Sequence, residues 1–137
     1  MFEAGTMNVH GVIGLGAGVQ VILNHGIDAI VEEQKALSQQ FLDGLRRIPG
    51  ITLYGDFDQP RVSVFSLNIG SAESALVSEI LWEDYEIATR SGYHCAPLMH
   101  EALGTKDRGT VRFSFSHYTT GEEIETTLKA LQTIAKG

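Results

Sequence analysis

The spacing of apolar and polar residues along the chain predicts a mixture of helices and short strands. Residues 27–48 carry an apolar stripe at helical spacing, with glutamate and glutamine on the opposite side. Residues 51–54 and 62–67 are predicted as two strands, because a polar connection separates two short apolar-rich runs. A further helix is predicted over residues 71–85, with Ser71 as its cap.

The C-terminal part of the chain contains the clearest local signals. Residues 111–116 alternate between apolar and polar side chains, so Arg112 and Ser114 are expected on one face of a half-buried strand. Thr120 and Glu123 have capping-box spacing at the start of the last helix. Helices and strands mixed in this order favour an α+β domain, with a small, mostly antiparallel sheet covered by helices.

Residues 12–23 differ from these segments because they are apolar nearly all round. Three evenly spaced glycines interrupt them, Gly14, Gly16 and Gly18. Glycine allows another backbone to approach closely, and a helix without a polar face is normally buried. We therefore expect a lead-in segment and a buried helix over residues 1–26. With 137 residues, the whole chain is expected to form a single domain.

The overall composition narrows the class of protein. Hydrophobic residues make up 43% of the chain and charged residues 20%, the balance of a soluble globular protein. The net charge of −7 argues against a nucleic-acid or anionic-membrane surface. No apolar run reaches the roughly 20 residues of a membrane-spanning helix, and no secretory signal follows Met1. A single cysteine fits a reducing compartment, so a cytoplasmic location is expected.

The segment around the single cysteine carries the candidate chemistry. Pro97 is suited to the first position of a helix, and Gly104 is a suitable stop for it. Cys95 is therefore expected beside the N-terminus of a short helix, close to unpaired backbone N–H groups. Arg90 and His94 can add positive potential there. Such surroundings favour the thiolate over the thiol, as a nucleophilic cysteine requires.

The residues alone leave other interpretations open. A lone cysteine is often a small buried hydrophobe. His94, Cys95 and His100 form only a weak zinc signature, because adjacent residues are poorly placed to bind one ion, so no metal site is predicted. Arg112 is either an exposed charge at a sheet edge or a fork-shaped donor for a substrate carboxylate.

Four segments, in order along the chain, resemble motifs of one enzyme group. Residues 2–8 resemble a Phe-Glu-x-Gly-Thr-x-Asn segment, and residues 11–17 resemble the glycine-rich helix that follows it. Residues 90–95 resemble an Arg-x-Gly-x-His-Cys active-site loop, and residues 109–114 resemble a strand with a substrate-binding arginine. The group is the cysteine desulfurases and selenocysteine lyases of the class V aminotransferases, and the resemblance covers essentially the whole chain.

The resemblance implies the C-terminal small domain of a fold-type I enzyme that uses pyridoxal phosphate (PLP). Residues 1–26 would join it to a cofactor domain that this chain lacks. Cys95 would attack the sulfur of L-cysteine and carry it as a persulfide, leaving alanine, and selenocysteine is the alternative substrate. Arg112 would hold the substrate carboxylate, with Arg90 near the substrate.

The remaining implied site residues lie in the cysteine loop and near the N-terminus. Gly92 and His94 would belong to the active-site loop, which is similar to that of the branch with a compact cysteine loop. Thr6, beside Gly5, would contact the PLP phosphate of the partner subunit in a homodimer, whereas the residues alone favour an ordinary turn hydroxyl. A separate acceptor protein would collect the sulfur from Cys95.

Two departures from the family pattern matter. Tyr93 stands where many members of this branch have a second histidine. The family's cofactor lysine follows a histidine, and none of the lysines here does so: Lys35, Lys106, Lys129 and Lys136. We therefore expect a fragment that binds no PLP alone and has no turnover. The alternatives are another class V enzyme with an incidental cysteine, or a non-enzymatic sulfur-carrier or interaction domain.

Overall fold

The computed structural model describes residues 5–137, so residues 2–4 of the first motif lie outside the described part. The chain divides into two compact units, Met1–Glu33 and Gln34–Gly137. Five helices and three strands follow one another in the described part: α1 (Val9–His25), α2 (Ile27–Leu45), β1 (Ile51–Tyr54), β2 (Val64–Ile69), α3 (Ser74–Tyr85), α4 (Pro97–Ala102), β3 (Val111–Ser114) and α5 (Gly121–Ile134).

Helix α1 forms as predicted but is not buried. The Asn8 side chain accepts a hydrogen bond from the Gly11 N–H at 3.0 Å, which caps the helix, and Gly26 ends it with φ of 89°. No residue of α1 is buried, and apolar side chains such as Leu15 and Leu23 are exposed. The predicted cover of this helix is a separate cofactor domain, so its burial in the intact enzyme stays a prediction.

No single helix in the described part is long and apolar enough to cross a membrane. Helices α1 and α2 together are long and apolar enough to do so, but a sharp bend separates them.

The three strands form one antiparallel sheet in the order β1-β2-β3. Leu53 pairs with Leu67, which pairs with Val111 on its other side. One residue along, Tyr54, Ser66 and Arg112 form the next row across the sheet. The predicted α+β class with a small antiparallel sheet is confirmed.

The two faces of the sheet differ in chemistry because side chains alternate along each strand. The apolar face carries Phe65 and Leu67, which are buried with residues of α2, α3 and α5. Phe41 of α2 packs edge-on against Phe65, with ring centroids 5.1 Å apart. We call the opposite side the polar face; its polar side chains are Thr52, Tyr54, Ser66, Asn68, Arg112 and Ser114.

Several element boundaries moved from their predicted positions for tertiary reasons. Strand β1 is confirmed, and so is the capping box, in which Thr120 and Glu123 exchange side chain-to-backbone hydrogen bonds. Strand β3 ends at Ser114 because its partner Val64 is the first residue of β2. Helix α3 begins three residues later than predicted, so Ser71 is not its cap.

Candidate active site

The two candidate arginines are direct neighbours across a backbone bridge. The Arg112 N–H donates to the Arg90 carbonyl at 2.8 Å, and the Arg90 N–H donates to the Arg112 carbonyl at 3.2 Å. Directly opposed residues of an antiparallel pair project to the same side, so both guanidinium groups leave on the polar face. Arg112 therefore lies between Ser66 and Arg90, which excludes the alternative of a charge at a free sheet edge.

Arg112 presents an unused hydrogen-bond donor on this face. Its Nε atom is buried and has no hydrogen-bond partner among residues 5–137. A buried donor left unpaired costs about 1–3 kcal/mol, so such a group calls for an explanation. An anionic group supplied from outside this chain would satisfy it.

The cysteine loop is attached to β3 at Gly92. The Gly92 N–H donates to the Thr110 carbonyl at 3.1 Å, and the Thr110 N–H donates to the Gly92 carbonyl at 3.2 Å. Gly109 has φ of 63°, and a Cβ added there would lie 2.6 Å from the Gly92 Cα. The two backbones can approach this closely only because position 109 is glycine.

Cys95 lies on a tight turn that spans residues 93–96. The Ala96 N–H donates to the Tyr93 carbonyl at 2.9 Å, and the two central residues have positive φ, 50° for His94 and 60° for Cys95. This is the pattern of a type I′ turn, which glycine and asparagine normally occupy. Non-glycine residues in the left-handed region cost about 1–3 kcal/mol each and persist where the surroundings hold them.

The thiol of Cys95 is free and exposed, so the alternative of a buried hydrophobe is excluded. Ala96 is the N-cap of α4 and Pro97 its first residue, which places Cys95 one residue before the cap. The predicted location beside the start of a short helix is confirmed. Gly104, with φ of 67°, follows the end of that helix as predicted.

His94 is fastened to the backbone of the arginine bridge. Its Nε2 lies 2.8 Å from the Arg90 carbonyl oxygen, which can only accept, so Nε2 carries the proton and Nδ1 keeps its lone pair. Burial lowers the pKa of His94, and the positive charges of Arg112 and Arg90 act in the same direction. The hydrogen bond to the Arg90 carbonyl raises the pKa by less than burial lowers it, so the net shift favours the neutral ring. The direction of this shift opposes the expectation that His94 adds positive charge beside Cys95.

His100 contacts the side chains of the cysteine loop from the chain's fourth helix, α4. It is buried, and its Nδ1 lies 2.8 Å from the Thr105 hydroxyl. Its ring centroid is 5.5 Å from that of Tyr93 and 5.8 Å from that of His94. Sequence analysis considered His100 only as a metal ligand and missed this supporting role. In the described part of the chain no group of three His, Cys, Asp or Glu side chains is arranged to hold a metal ion.

Two further predicted site residues belong to the other compact unit. Gly5 and Thr6 lie at the start of the described chain, are exposed, and Gly5 has φ of 118°. Their role stays a prediction.

Comparison with known proteins gives the family. The family model of the class V aminotransferases matches residues 1–127, and the chain belongs to this family. A probable cysteine desulfurase from Methanothermobacter thermautotrophicus is 38% identical over 98% of this chain. The apo structure of the cysteine desulfurase from Thermococcus onnurineus NA1 covers 99% of the chain with 36% identity and a TM-score of 0.90. The Escherichia coli cysteine desulfurase CsdA covers 98% with 28% identity and a TM-score of 0.84.

The chain spans about a third of the length of these proteins: 34% of the archaeal relative, 33% of the Thermococcus chain and 32% of CsdA. The family implies PLP in the intact enzyme. Covalent attachment of PLP requires a lysine. Each lysine of this chain is exposed: Lys35, Lys106, Lys129 and Lys136. None of these four lysines lies in an enclosed site.

Proposed function

We propose that this chain is the C-terminal part of a PLP-dependent cysteine desulfurase. One observation carries the proposal. The exposed Cys95 thiol and the unpaired Nε of Arg112 belong to two segments that are hydrogen bonded to each other through their backbones. Cys95 follows Gly92 by three residues, and Arg112 follows Thr110 by two, and Gly92 and Thr110 are hydrogen bonded in both directions. Residues 1–26 would connect this part to the domain that anchors PLP, and a cytoplasmic location fits the single free thiol.

Arg112 holds the carboxylate of the amino-acid substrate. Its buried Nε is a directional donor without a protein acceptor in the described chain, and a carboxylate accepts two parallel bonds from a guanidinium. Arg90 leaves the backbone on the same face and adds a second positive charge. The substrate is L-cysteine, with selenocysteine as the close analogue.

Cys95 accepts the sulfur. Its thiolate forms an S–S bond to the substrate sulfur while the substrate Cβ–S bond breaks, and the carbon product leaves as alanine after taking up protons. The overall balance is cysteine plus thiol giving alanine plus persulfide, with no external oxidant. PLP, when bound, supplies the electron sink for the amino acid. Nucleophilic catalysis of this kind divides the transfer into two easier steps, and an acceptor protein takes the sulfur in the second.

His94 is the proton acceptor available in the loop. Because Nε2 donates to the Arg90 carbonyl, the lone pair on Nδ1 of the neutral ring is free to receive the proton of the Cys95 thiol. In the assembled enzyme, Gly5 and Thr6 contact the PLP phosphate of the partner subunit of a homodimer.

The decisive experiment replaces Cys95 with serine in the full-length protein loaded with PLP. Alanine release from L-cysteine should fall by a factor of about 100 or more, since the nucleophile is lost, and no persulfide should be trapped by mass spectrometry. Tyr93→Phe serves as the matched control in the same loop and should keep most of the activity. Unchanged activity of C95S would favour a class V enzyme in which the cysteine is incidental. The 137-residue chain alone, with added PLP, should release no alanine.

A further inference from the structure

Asn68 is a buried polar residue in the middle of the sheet that the proposed chemistry does not use. It is only 1% exposed and lies on the polar face. Its Nδ2 donates to the Gly109 carbonyl at 3.0 Å and to the Tyr54 hydroxyl at 3.2 Å. Its Oδ1 is buried without a hydrogen-bond partner in the described residues. A buried amide whose oxygen is unpaired lowers the stability of the fold, so its presence calls for an explanation.

The bond to Gly109 acts on a particular peptide plane. The Gly109 carbonyl and the Thr110 N–H belong to the same planar peptide unit and point in opposite directions. Asn68 holds the carbonyl side of this unit, while the N–H side donates to the Gly92 carbonyl at 3.2 Å. The orientation of one peptide unit is therefore shared between a buried side chain in β2 and the entry to the cysteine loop.

The contact with Gly92 leaves little freedom for this unit. Because a Cβ on Gly109 would lie 2.6 Å from the Gly92 Cα, a tilt of the Gly109–Thr110 peptide moves Gly92 as well. Three residues further along the loop is Cys95, and two residues further along β3 is Arg112. Both groups take their positions from the same peptide unit.

We propose that Asn68 is a positioning residue that sets the distance between the Cys95 thiol and the substrate held by Arg112. It acts through the Gly109–Thr110 peptide and Gly92, without touching the substrate. The role of Cys95 and Arg112 rests on the function proposed above. The linkage from Asn68 to the cysteine loop rests on hydrogen bonds and a backbone contact alone.

The test uses Asn68→Asp in the full-length protein with PLP. Aspartate keeps the shape, and when its carboxyl is ionised at high pH it has no hydrogen to donate to the Gly109 carbonyl. We expect amide hydrogen exchange in the peptide covering residues 90–96 to rise by roughly fivefold or more, because one net hydrogen bond is lost. The kcat with L-cysteine should fall by roughly tenfold or more with little change in KM, because a small displacement of a reacting group is costly.

Two comparisons keep the test decisive. Tyr54→Phe removes only the second acceptor of Asn68, so its exchange and kcat should stay within about twofold of the parent protein. Asn68→Ala replaces Asn68→Asp if the buried carboxylate prevents folding. An exchange increase spread evenly over all three strands, with kcat falling only as the folded fraction falls, would show a merely structural role and overturn the proposal.

A third readout separates this proposal from the function on which it rests. The rate of Cys95 alkylation by iodoacetamide, followed by mass spectrometry, reports the exposure and orientation of the loop whether or not the enzyme turns over. If C95S keeps full activity, the proposed function fails, yet a change in alkylation and local exchange in Asn68→Asp still supports the linkage. If C95S is inactive while neither measurement changes in Asn68→Asp, only the positioning role fails.

Discussion

The two faces of the small sheet differ in how completely their side chains are packed and hydrogen bonded. On the apolar face, Phe65, Leu67 and Val111 are at most 1% exposed and belong to the hydrophobic core. On the polar face, Arg112 and Asn68 each have a buried atom without a partner in the described part of the chain. The strained turn of His94 and Cys95 follows the segment that bridges Arg112 on this side.

This difference shows where the chain is complete by itself and where it is not. An apolar face stabilises the fold through burial, and it needs nothing from outside. Unpaired buried atoms and left-handed non-glycine residues cost free energy, and such costs gather at functional sites. The apolar face therefore accounts for stability, and the polar face accounts for the proposed chemistry.

The largest effect is expected from Phe65→Ala on the apolar face. Removing a buried aromatic ring costs about 3–5 kcal/mol of unfolding free energy, because packing is lost and a cavity remains. Phe65 contacts the rings of Phe41, Phe57 and Phe115, which cannot all move to fill the space. Urea unfolding of the 137-residue chain, followed by circular dichroism, measures the loss. A loss below about 1 kcal/mol would contradict the described core.

The next effect is expected from Arg112→Gln on the polar face, measured in the full-length protein with PLP. The kcat/KM for L-cysteine should fall by about 10–150-fold, which corresponds to a charged hydrogen bond of about 1.5–3 kcal/mol. The unfolding free energy should stay the same or rise, since the charge of a partly buried guanidinium is removed. Ser114→Ala, on the same strand and face, is the control. Equal loss of activity in both variants would remove Arg112 from the site.

The smallest effect is expected from relaxing the cysteine turn. Cys95 has φ of 60°, which costs a non-glycine residue about 1–2 kcal/mol, and glycine is free of this cost. Cys95→Gly should be more stable than Cys95→Ala by about 0.5–1 kcal/mol, after allowing for the greater flexibility of unfolded glycine. Urea unfolding of the two variants measures the difference. Cys95→Ala as the more stable variant would show that the turn is not strained.

Predictions from local sequence succeeded where neighbouring residues carry all of the information. Strand β1 and the capping box of Thr120 and Glu123 appear where expected. Pro97 begins a short helix, and Cys95 lies directly ahead of its cap. Each of these depends on side-chain alternation or on hydrogen bonds between residues at most a few positions apart.

The errors all involve partners that are distant in sequence. Ser71 has a suitable type for a cap, yet the helix begins at Ser74, whose hydroxyl donates to the carbonyl of Arg108 in another segment. The pKa of His94 is lowered by burial and by Arg112, 18 positions away, which local sequence does not reveal.

Local sequence patterns are enough to predict the order of the elements, an antiparallel sheet, and the residue types that point to a thiol and a carboxylate-binding guanidinium. The pairing of Arg90 with Arg112, the packing of Gly109 on Gly92 and the hydrogen bond from Asn68 to Gly109 depend on the tertiary structure. Local periodicity depends on neighbouring residues, whereas these contacts join positions 17–41 residues apart. Such contacts form only when the whole sheet closes.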